Sequence, residues 1–427
     1  MKIWLVTIGE PIFHPLNKLR LHRTGILSKF ISEKTDHEIV WFTSTFNHFT
    51  KEHIYADTTS SFISARFKMI AIKGKGYKHN VSFDRIIDHA QIAKKFRFLI
   101  RNEEKPDIIV VAFPTIRLCK DALEYGKKFS IPVLIDYRDM WPEVYVDILP
   151  QRLRFIGKCL LSPVYSKVKF LFSNADGILS ITNDYLNYAL GKIKREQNVN
   201  DGVFPLGYLK NQFTNADLRE ADEYWNQLIP KTNKLRICYF GAIGYQSNWD
   251  IIKEVILLAY NDNLPIEFII CGTGDKLDGF KHLESEVDNL VLPGFVSAAQ
   301  ITSLLCSSDL GLCAFLPKDN YLNSVPGKAI EYMSSGLPIL NSLEKSTLGF
   351  YIDKYDIGFH YSQNSHDELF NLLKSLSTNR ELIDSKKMNI RCVYEEYFDA
   401  NSVYLNYIRH LEKVVLNYKI KKNGQRN

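Results

Sequence analysis

A chain of 427 residues, 45% hydrophobic and 24% charged, has room for two or three domains of roughly 100–200 residues and lies outside the disordered, collagenous and coiled-coil classes. Its net charge of +6 conceals a division: residues 1–200 carry 31 Lys+Arg against 20 Asp+Glu, or +11, and the remainder 23 against 28, or −5. That split argues against a uniform nucleic-acid binder and gives the two halves different partners; no apolar run approaches the roughly 18 residues of a membrane span, and seven scattered cysteines without a C-x-x-C pair suit a reducing cytoplasm and no structural zinc.

In chain order, Ile3–Ile8 reads as a strand, Gly25–Glu33 as a helix and Glu38–Thr43 as a strand. A longer helix follows at Phe83–Arg101, where Phe83, Ile86, Ile87, Ala90, Ala93 and Ile100 keep nearly a 3.6 period. Strands at Asp107–Phe113, Pro132–Asp136 and Gly177–Ile181 alternate with helices at Arg117–Phe129 and Arg152–Phe172. Residues 208–233 are polar with little periodicity and read as a linker. The alternation restarts with strands at Leu235–Phe240, Ile266–Cys271, Leu290–Leu292, Leu310–Ala314 and Leu337–Leu340, and helices at Trp249–Tyr260, Ser297–Ser307 and Pro326–Ser335. Such alternation predicts an α/β fold of two doubly wound, Rossmann-like domains. The expected division is a first domain over 1–207, the linker over 208–233, a second domain over 234–398, and a terminal helix with basic tail over 399–427 that crosses back to the first domain. Open α/β sheets bind ligands beyond the carboxyl ends of their strands, and two facing sheets would offer one cleft to two substrates.

The segment that speaks most directly of chemistry is Ser324–Ile339. Pro326 suits the first position of a helix, and the amides of Gly327, Lys328 and Ala329 would then point at an anion favoured by the helix dipole. Glu331, one turn in, could accept hydrogen bonds from vicinal hydroxyls, and Gly336-Leu337-Pro338 would stop the helix and start a strand. A nucleotide-diphosphate site and an ordinary capped amphipathic helix fit this spacing equally.

At these residues the sequence resembles the retaining glycosyltransferases of family 4, with the two-domain GT-B fold, and within them the branch that builds bacterial surface polysaccharide such as O-antigen or capsule. Their Glu, seven residues, Glu signature aligns its second Glu with Glu331, followed by Gly336 and Pro338 in register, and its first with Asn323. The resemblance implies that the second domain binds a nucleotide diphosphate-sugar through the glycine loop Tyr239–Gly244, with Gly241 and Gly244, and through Gly272 and Gly274 of Ile270–Asp275. Asn323, Gly327, Lys328 and Glu331 complete that donor site. Gln246, Ser247 and Asn248 stand where the family often has an Arg and a Lys, which leaves Lys328 to neutralise the diphosphate or, in the plainer reading, to be a solvated lysine at a helix start. In the first domain the motif Asp136–Glu143 resembles the family's Asp-x-Arg-Asp-x-Trp-Pro. It makes Arg138 and Asp139 catalytic candidates with Glu331, or else an Arg–Asp pair that fixes the loop. Arg23-Thr24-Gly25 matches the acceptor-side glycine turn, with His14 on the same loop, and Phe113-Pro114-Thr115 stands where the family places a histidine.

Asp-x-Asp is absent, as suits a metal-independent transferase that uses no cofactor beyond its donor substrate. Nor does the chain contain a P-loop, a full dinucleotide fingerprint or a G-x-S-x-G elbow. The expected activity is transfer of a hexose-type sugar, with retention, to a hydroxyl of a glycan acceptor, free or lipid-diphosphate-linked. A nucleotide-sugar epimerase of the same fold and a non-catalytic nucleotide-sugar-binding subunit are the alternatives. Leu149–Asn174 carries five Lys/Arg residues, no acid, and interleaved Leu, Phe and Ile. It could lie on the anionic inner face of the cytoplasmic membrane, or pack its apolar side on the sheet with the charges solvated.

Overall fold

The computed structural model describes all residues except 15–20, 81, 148, 211–212, 230–231 and 425–427. The end of the expected basic tail and parts of the expected linker therefore lie outside the described residues. The chain divides into an N-terminal unit, Met1–Pro205 with Val403–Asn427, and a C-terminal unit, Leu206–Ser402.

The N-terminal unit is built on β1 (Lys2–Val6), β2 (Glu38–Ser44), β3 (Thr59–Ser64), β4 (Phe67–Ile72), β5 (Ile108–Phe113), β6 (Val133–Tyr137), β7 (Gly177–Ser180) and β8 (Gly202–Val203), in the sheet order β3-β4-β2-β1-β5-β6-β7-β8. Every pair is parallel except β3 with β4. β5 and β6 are buried throughout, as a strand covered by helices on both faces must be, and so read as continuous apolar runs. The sequence reading passed over β3 and β4. β3 is an exposed edge strand of Ser, Thr and an outward Phe62, and a six-residue apolar run such as β4 cannot be typed by periodicity alone.

Two helices differ from expectation. The stretch at Arg152–Phe172 is a 3-10 turn, Gln151–Leu153, and two helices, Arg154–Leu160 and Ser162–Asn174. Pro163 has no N–H to give an incoming helix and sits instead in the first turn of the next. In helix Phe83–Leu99 the buried side is Asp88, Ile92, Ala93 and Phe96, while Phe83, Ile86 and Ile87 are 84%, 59% and 43% exposed. The long helix Ala400–Gly424 joins the N-terminal unit from Val403 onward. There the Tyr404 ring packs on Phe30 at 5.6 Å, the Tyr407 ring on Phe204 at 4.6 Å, and Lys419 pairs with Asp107 at 3.0 Å.

The C-terminal unit holds β9 (Leu235–Phe240), β10 (Ile266–Cys271), β11 (Leu290–Gly294), β12 (Leu310–Cys313), β13 (Ile339–Asn341) and β14 (Gly358–His360), all parallel in the order β11-β10-β9-β12-β13-β14. Apolar clusters cover both faces of this sheet. The polar stretch read as a linker contains helix Asn215–Leu228, begun by a capping box between Thr214 and Asp217. Its Ala221 and Trp225, one turn apart, are buried, and the Trp225 indole donates to Gln300 O at 2.8 Å. Two buried residues in fourteen give too narrow a stripe to stand out as a period. Among the described residues no helix is long and apolar enough to cross a membrane.

Candidate functional site

In the C-terminal unit the carboxyl ends of β9, β10 and β11 are joined by backbone rather than by side chains. Gly241 N donates to Cys271 O at 3.1 Å, Ile243 N to Thr273 O at 2.9 Å, and Gly272 N to Gly294 O at 2.7 Å. Such close approach needs glycine. A Cβ on Gly272 would lie 1.8 Å from Gly241 O, and one on Gly274 2.3 Å from Ile243 O, and both residues have positive φ, +133° and +154°. Gly244 is filled from its own loop, because the Gln246 amide folds back to donate to Ala242 O at 2.5 Å.

Beside this loop stands helix Gly327–Ser334. Its placement follows from Gly311 on β12, where any Cβ would sit 2.4 Å from the Tyr332 ring, so that the ring lies flat against the strand and its hydroxyl donates to Leu312 O at 3.1 Å. Gly336, at φ +73°, ends the helix, and Leu337 N returns to Tyr332 O at 2.9 Å. Two details differ from expectation. Pro326 is the N-cap rather than the first helical residue, and Ala329 N–H already donates to Pro326 O at 2.9 Å, so Ala329 is not among the amides offered to an anion. Nothing lies within 4 Å of where a Gly327 Cβ would be, which leaves the helix start open in front.

Lys328 is half-buried rather than a solvated surface lysine. Its ammonium lies 3.6 Å from the Tyr239 ring centroid, 5.1 Å from that of Phe315, and 3.3 Å from the position of a Gly241 Cβ. Removal from water lowers its pKa to about 7, against the opposing charge of Glu331. Glu331 itself is buried. Asn323, half-buried at the end of a short helix, donates from its side-chain amide to Asp319 O at 2.8 Å. The glycine loop, the open helix start, a cation of adjustable charge and a carboxylate therefore come together at the carboxyl ends of the sheet's central strands.

In the N-terminal unit the residues singled out from sequence separate into two groups. Arg23 and Arg138 belong to a buried ionic network centred on Asp136. Arg23 Nε meets Asp136 at 3.1 Å and its NH1 donates to Phe204 O and Pro205 O at 2.6 and 2.9 Å, with the Tyr407 ring 5.2 Å away. Arg138 pairs with the same carboxylate at 2.7 Å, bonds Glu10, and donates to Thr24 Oγ1 at 3.0 Å. Burial alone would raise the Asp136 carboxyl, but the two guanidiniums hold its pKa below the ordinary value. Arg138 is thus bound to Asp136 and Glu10 rather than to Asp139 while still lining the cavity beside them, and Arg23 ties the first helix to the strand ends. Gly25 is buried in helix Arg23–Lys34 against Leu21, and the His14 ring packs on Tyr55 at 5.2 Å.

Asp139 faces outward into a polar cavity of about 230 Å³ at the carboxyl ends of β1, β2, β5 and β6. The cavity is lined by Glu10, His48, Arg85, Asp88 and His89 as well. Asp139 is open to the cavity yet ringed by protein, and that loss of water raises its carboxyl pKa, with Arg138 and Arg85 opposing. Burial likewise takes His48 and His89 down to about 4, so both imidazoles are neutral at pH 7 and can donate and accept. Sequence reasoning missed these five side chains. Glu10 carried a usable signal, since it follows β1 directly at the strand end. Arg85, Asp88 and His89 sit on a helix whose apolar period pointed to the wrong face.

The comparisons with known proteins agree with this anatomy. Residues 221–391 match the family model of glycosyl transferases group 1. With that domain on this fold, the chain is a glycosyltransferase. Its two units follow the GT-B architecture of solved glycosyltransferases. Sucrose-phosphate synthase from Thermosynechococcus elongatus is similar over 97% of this chain and 99% of its own, at 13% identity and a TM-score of 0.70. HepE from Anabaena, solved in complex with UDP-glucose, is similar over 97% and 100% at 10% identity and a TM-score of 0.62. WaaG, a glycosyltransferase involved in lipopolysaccharide biosynthesis, is similar over 95% and 98% at 14% identity and a TM-score of 0.61. No curated protein matches the sequence.

Proposed function

We propose that this glycosyltransferase takes a hexose-type sugar from a nucleotide diphosphate-sugar held by the C-terminal unit and passes it, with retention, to a hydroxyl of a glycan acceptor held by the N-terminal unit, in bacterial surface-polysaccharide synthesis. The observation that carries the reading is the meeting of the glycine loop at Gly241 with Lys328, Glu331 and the open start of helix Gly327–Ser334. The diphosphate would lie against the amides of Gly327 and Lys328, where the helix dipole favours it. An anion there draws a proton onto the Lys328 amine, and the resulting ammonium stabilises the departing nucleotide diphosphate. Glu331 would accept hydrogen bonds from donor hydroxyls. The Anabaena relative solved with UDP-glucose supports a donor of this class.

On the acceptor side, Asp139 and the neutral His48 and His89 offer hydrogen-bonding groups matched to sugar hydroxyls. No carboxylate is assigned as nucleophile: a front-face reaction, in which the leaving diphosphate helps deprotonate the acceptor hydroxyl, requires none. The donor site is assigned without a metal. Activity in excess EDTA should equal that of the untreated protein, and restoration of a lost activity by magnesium or manganese would contradict this part.

The test is Glu331→Ala, assayed for transfer and for donor affinity. A charge-assisted hydrogen bond is worth roughly 1.5–3 kcal/mol, so transfer should nearly vanish and the donor KM should rise while the fold is retained. Unchanged KM and turnover would remove the donor-site assignment.

A further inference from the structure

We propose that a groove among three helices of the N-terminal unit binds a guanine nucleotide, with the base on Phe170 and Asp121 and the phosphates on the cations around them. The groove, of about 730 Å³, lies among helices Phe83–Leu99, Ile116–Phe129 and Ser162–Asn174. It shares no lining residue with the polar cavity at the strand ends, and the proposal depends on neither the donor nor the acceptor assignment. Its size is that of a small-molecule site. Ile116, Pro163 and Leu171 supply apolar lining. Phe170 is 52% exposed, which leaves a ring face on which a base can stack. Arg97, Arg117, Lys120 and Lys167 complete the lining with four cations.

Asp121 decides the kind of ligand. Its side chain is only 7% exposed, yet Oδ2 accepts no hydrogen bond, and Arg97 Nε stays 3.5 Å away. A buried polar atom without a donor calls for an explanation. Loss of water raises the carboxyl pKa to about 6, with Arg97 foremost among the opposing charges, so the group is ionised at pH 7.5 and ready to accept. This carboxylate repels a plain polyanion, and the four cations repel a cationic ligand. A lipid chain brings no donor. What fits is an uncharged ring with N–H groups along one edge, joined to phosphate. Among the nucleobases guanine carries two adjacent donors, N1–H and N2–H, which match the paired oxygens of a carboxylate. Adenine and cytosine set their amino group beside an acceptor nitrogen, and the uracil N3–H lies between two carbonyl oxygens that oppose a carboxylate. Lys120 also meets Glu124 at 3.5 Å, but that pair is exposed and weak enough to yield to a phosphate.

The experiment is calorimetric titration of the full chain at pH 7.5 with guanosine triphosphate, adenosine triphosphate and inorganic triphosphate in turn. Guanosine triphosphate should bind at least about tenfold more tightly than either of the others. Asp121→Asn, which keeps the shape of the side chain, should weaken it at least about tenfold, and Lys167→Glu by a similar factor. Lys167 is exposed, so its variant keeps the test decisive if Asp121→Asn disturbs folding. Hydrogen–deuterium exchange with guanosine triphosphate should show protection in residues 93–97, 116–121 and 163–171, which carry the groove. Equal affinities for the guanosine and adenosine nucleotides, or a Lys167→Glu variant that binds as the unmodified chain does, would overturn the inference. Protection confined to residues 241–246 and 326–331 would overturn it as well, and would leave the donor-site assignment standing.

Discussion

In the N-terminal unit the ends of β1 and β6 are locked by charged side chains, with Arg23 and Arg138 closing on Asp136 and Glu10. In the C-terminal unit the ends of β9, β10 and β11 are locked by glycine backbone, and the nearby cation, Lys328, is held by aromatic rings. The difference suits two kinds of ligand. A backbone cradle presents amides in a fixed shape and can serve a group common to many donors, such as a diphosphate. A scaffold of ion pairs takes up charge internally and leaves Asp139, His48, His89 and Arg85 to line the cavity beside it.

The largest effect expected from this contrast is at Asp136. Asp136→Ala leaves two buried guanidiniums facing each other without their carboxylate, and breaking a buried pair costs about 3–5 kcal/mol. Denaturation followed by hydrogen exchange should show that loss in the amides of β1, β5 and β6, while β9 and β10 keep their protection. A change below about 1 kcal/mol would mean that the network does not hold the strand ends.

The backbone side of the comparison is sharpened by Gly272→Ala against Gly327→Ala. The first places a methyl 1.8 Å from Gly241 O at φ +133°, and the second meets nothing within 4 Å. Titration should show uridine diphosphate affinity falling at least about tenfold for Gly272→Ala and changing little for Gly327→Ala. Equal effects at the two glycines would contradict the cradle.

A smaller effect concerns protons. Lys328 has a pKa of about 7 in the folded chain against 10.5 ordinarily. Between those values the unfolded chain holds a proton that the folded chain has released, so this residue makes stability rise with pH from about 7 to 10.5. A bound diphosphate reverses the preference and calls the proton back. Donor affinity should therefore fall as pH climbs above about 7, and calorimetry in buffers of different ionisation enthalpy should show proton uptake on binding at pH 8. Lys328→Met should lower affinity, abolish the uptake and raise the melting temperature at pH 6. Binding without proton uptake would show that Lys328 does not face the diphosphate.

How far each side could be read from the sequence follows the same division. The parallel strands are visible because short apolar runs are a local signal, and Gly241, Gly244, Gly272 and Gly274 because their loops resemble those of the family. The N-terminal cavity is not local. Glu10 and Arg138 are 128 residues apart, and their meeting depends on β1 and β6 flanking β5 in the sheet. The motif that resembles the family's puts Arg138 at a strand end, but its partners Asp136 and Glu10 come into view only in the fold. The exposed Phe83 and Ile86 misled for a related reason, since an apolar period identifies a helix but not which of its sides is covered.

The central claim is that nucleotide diphosphate is held by the C-terminal unit at the glycine loop and the start of helix Gly327–Ser334. Hydrogen–deuterium exchange of the full chain with and without uridine diphosphate tests it most directly. Protection should rise in residues 241–246, 272–276 and 326–331 and stay unchanged around Glu10, Arg85 and Arg138. Binding accompanied by protection in the N-terminal cavity instead, with the glycine loop unaffected, would contradict it.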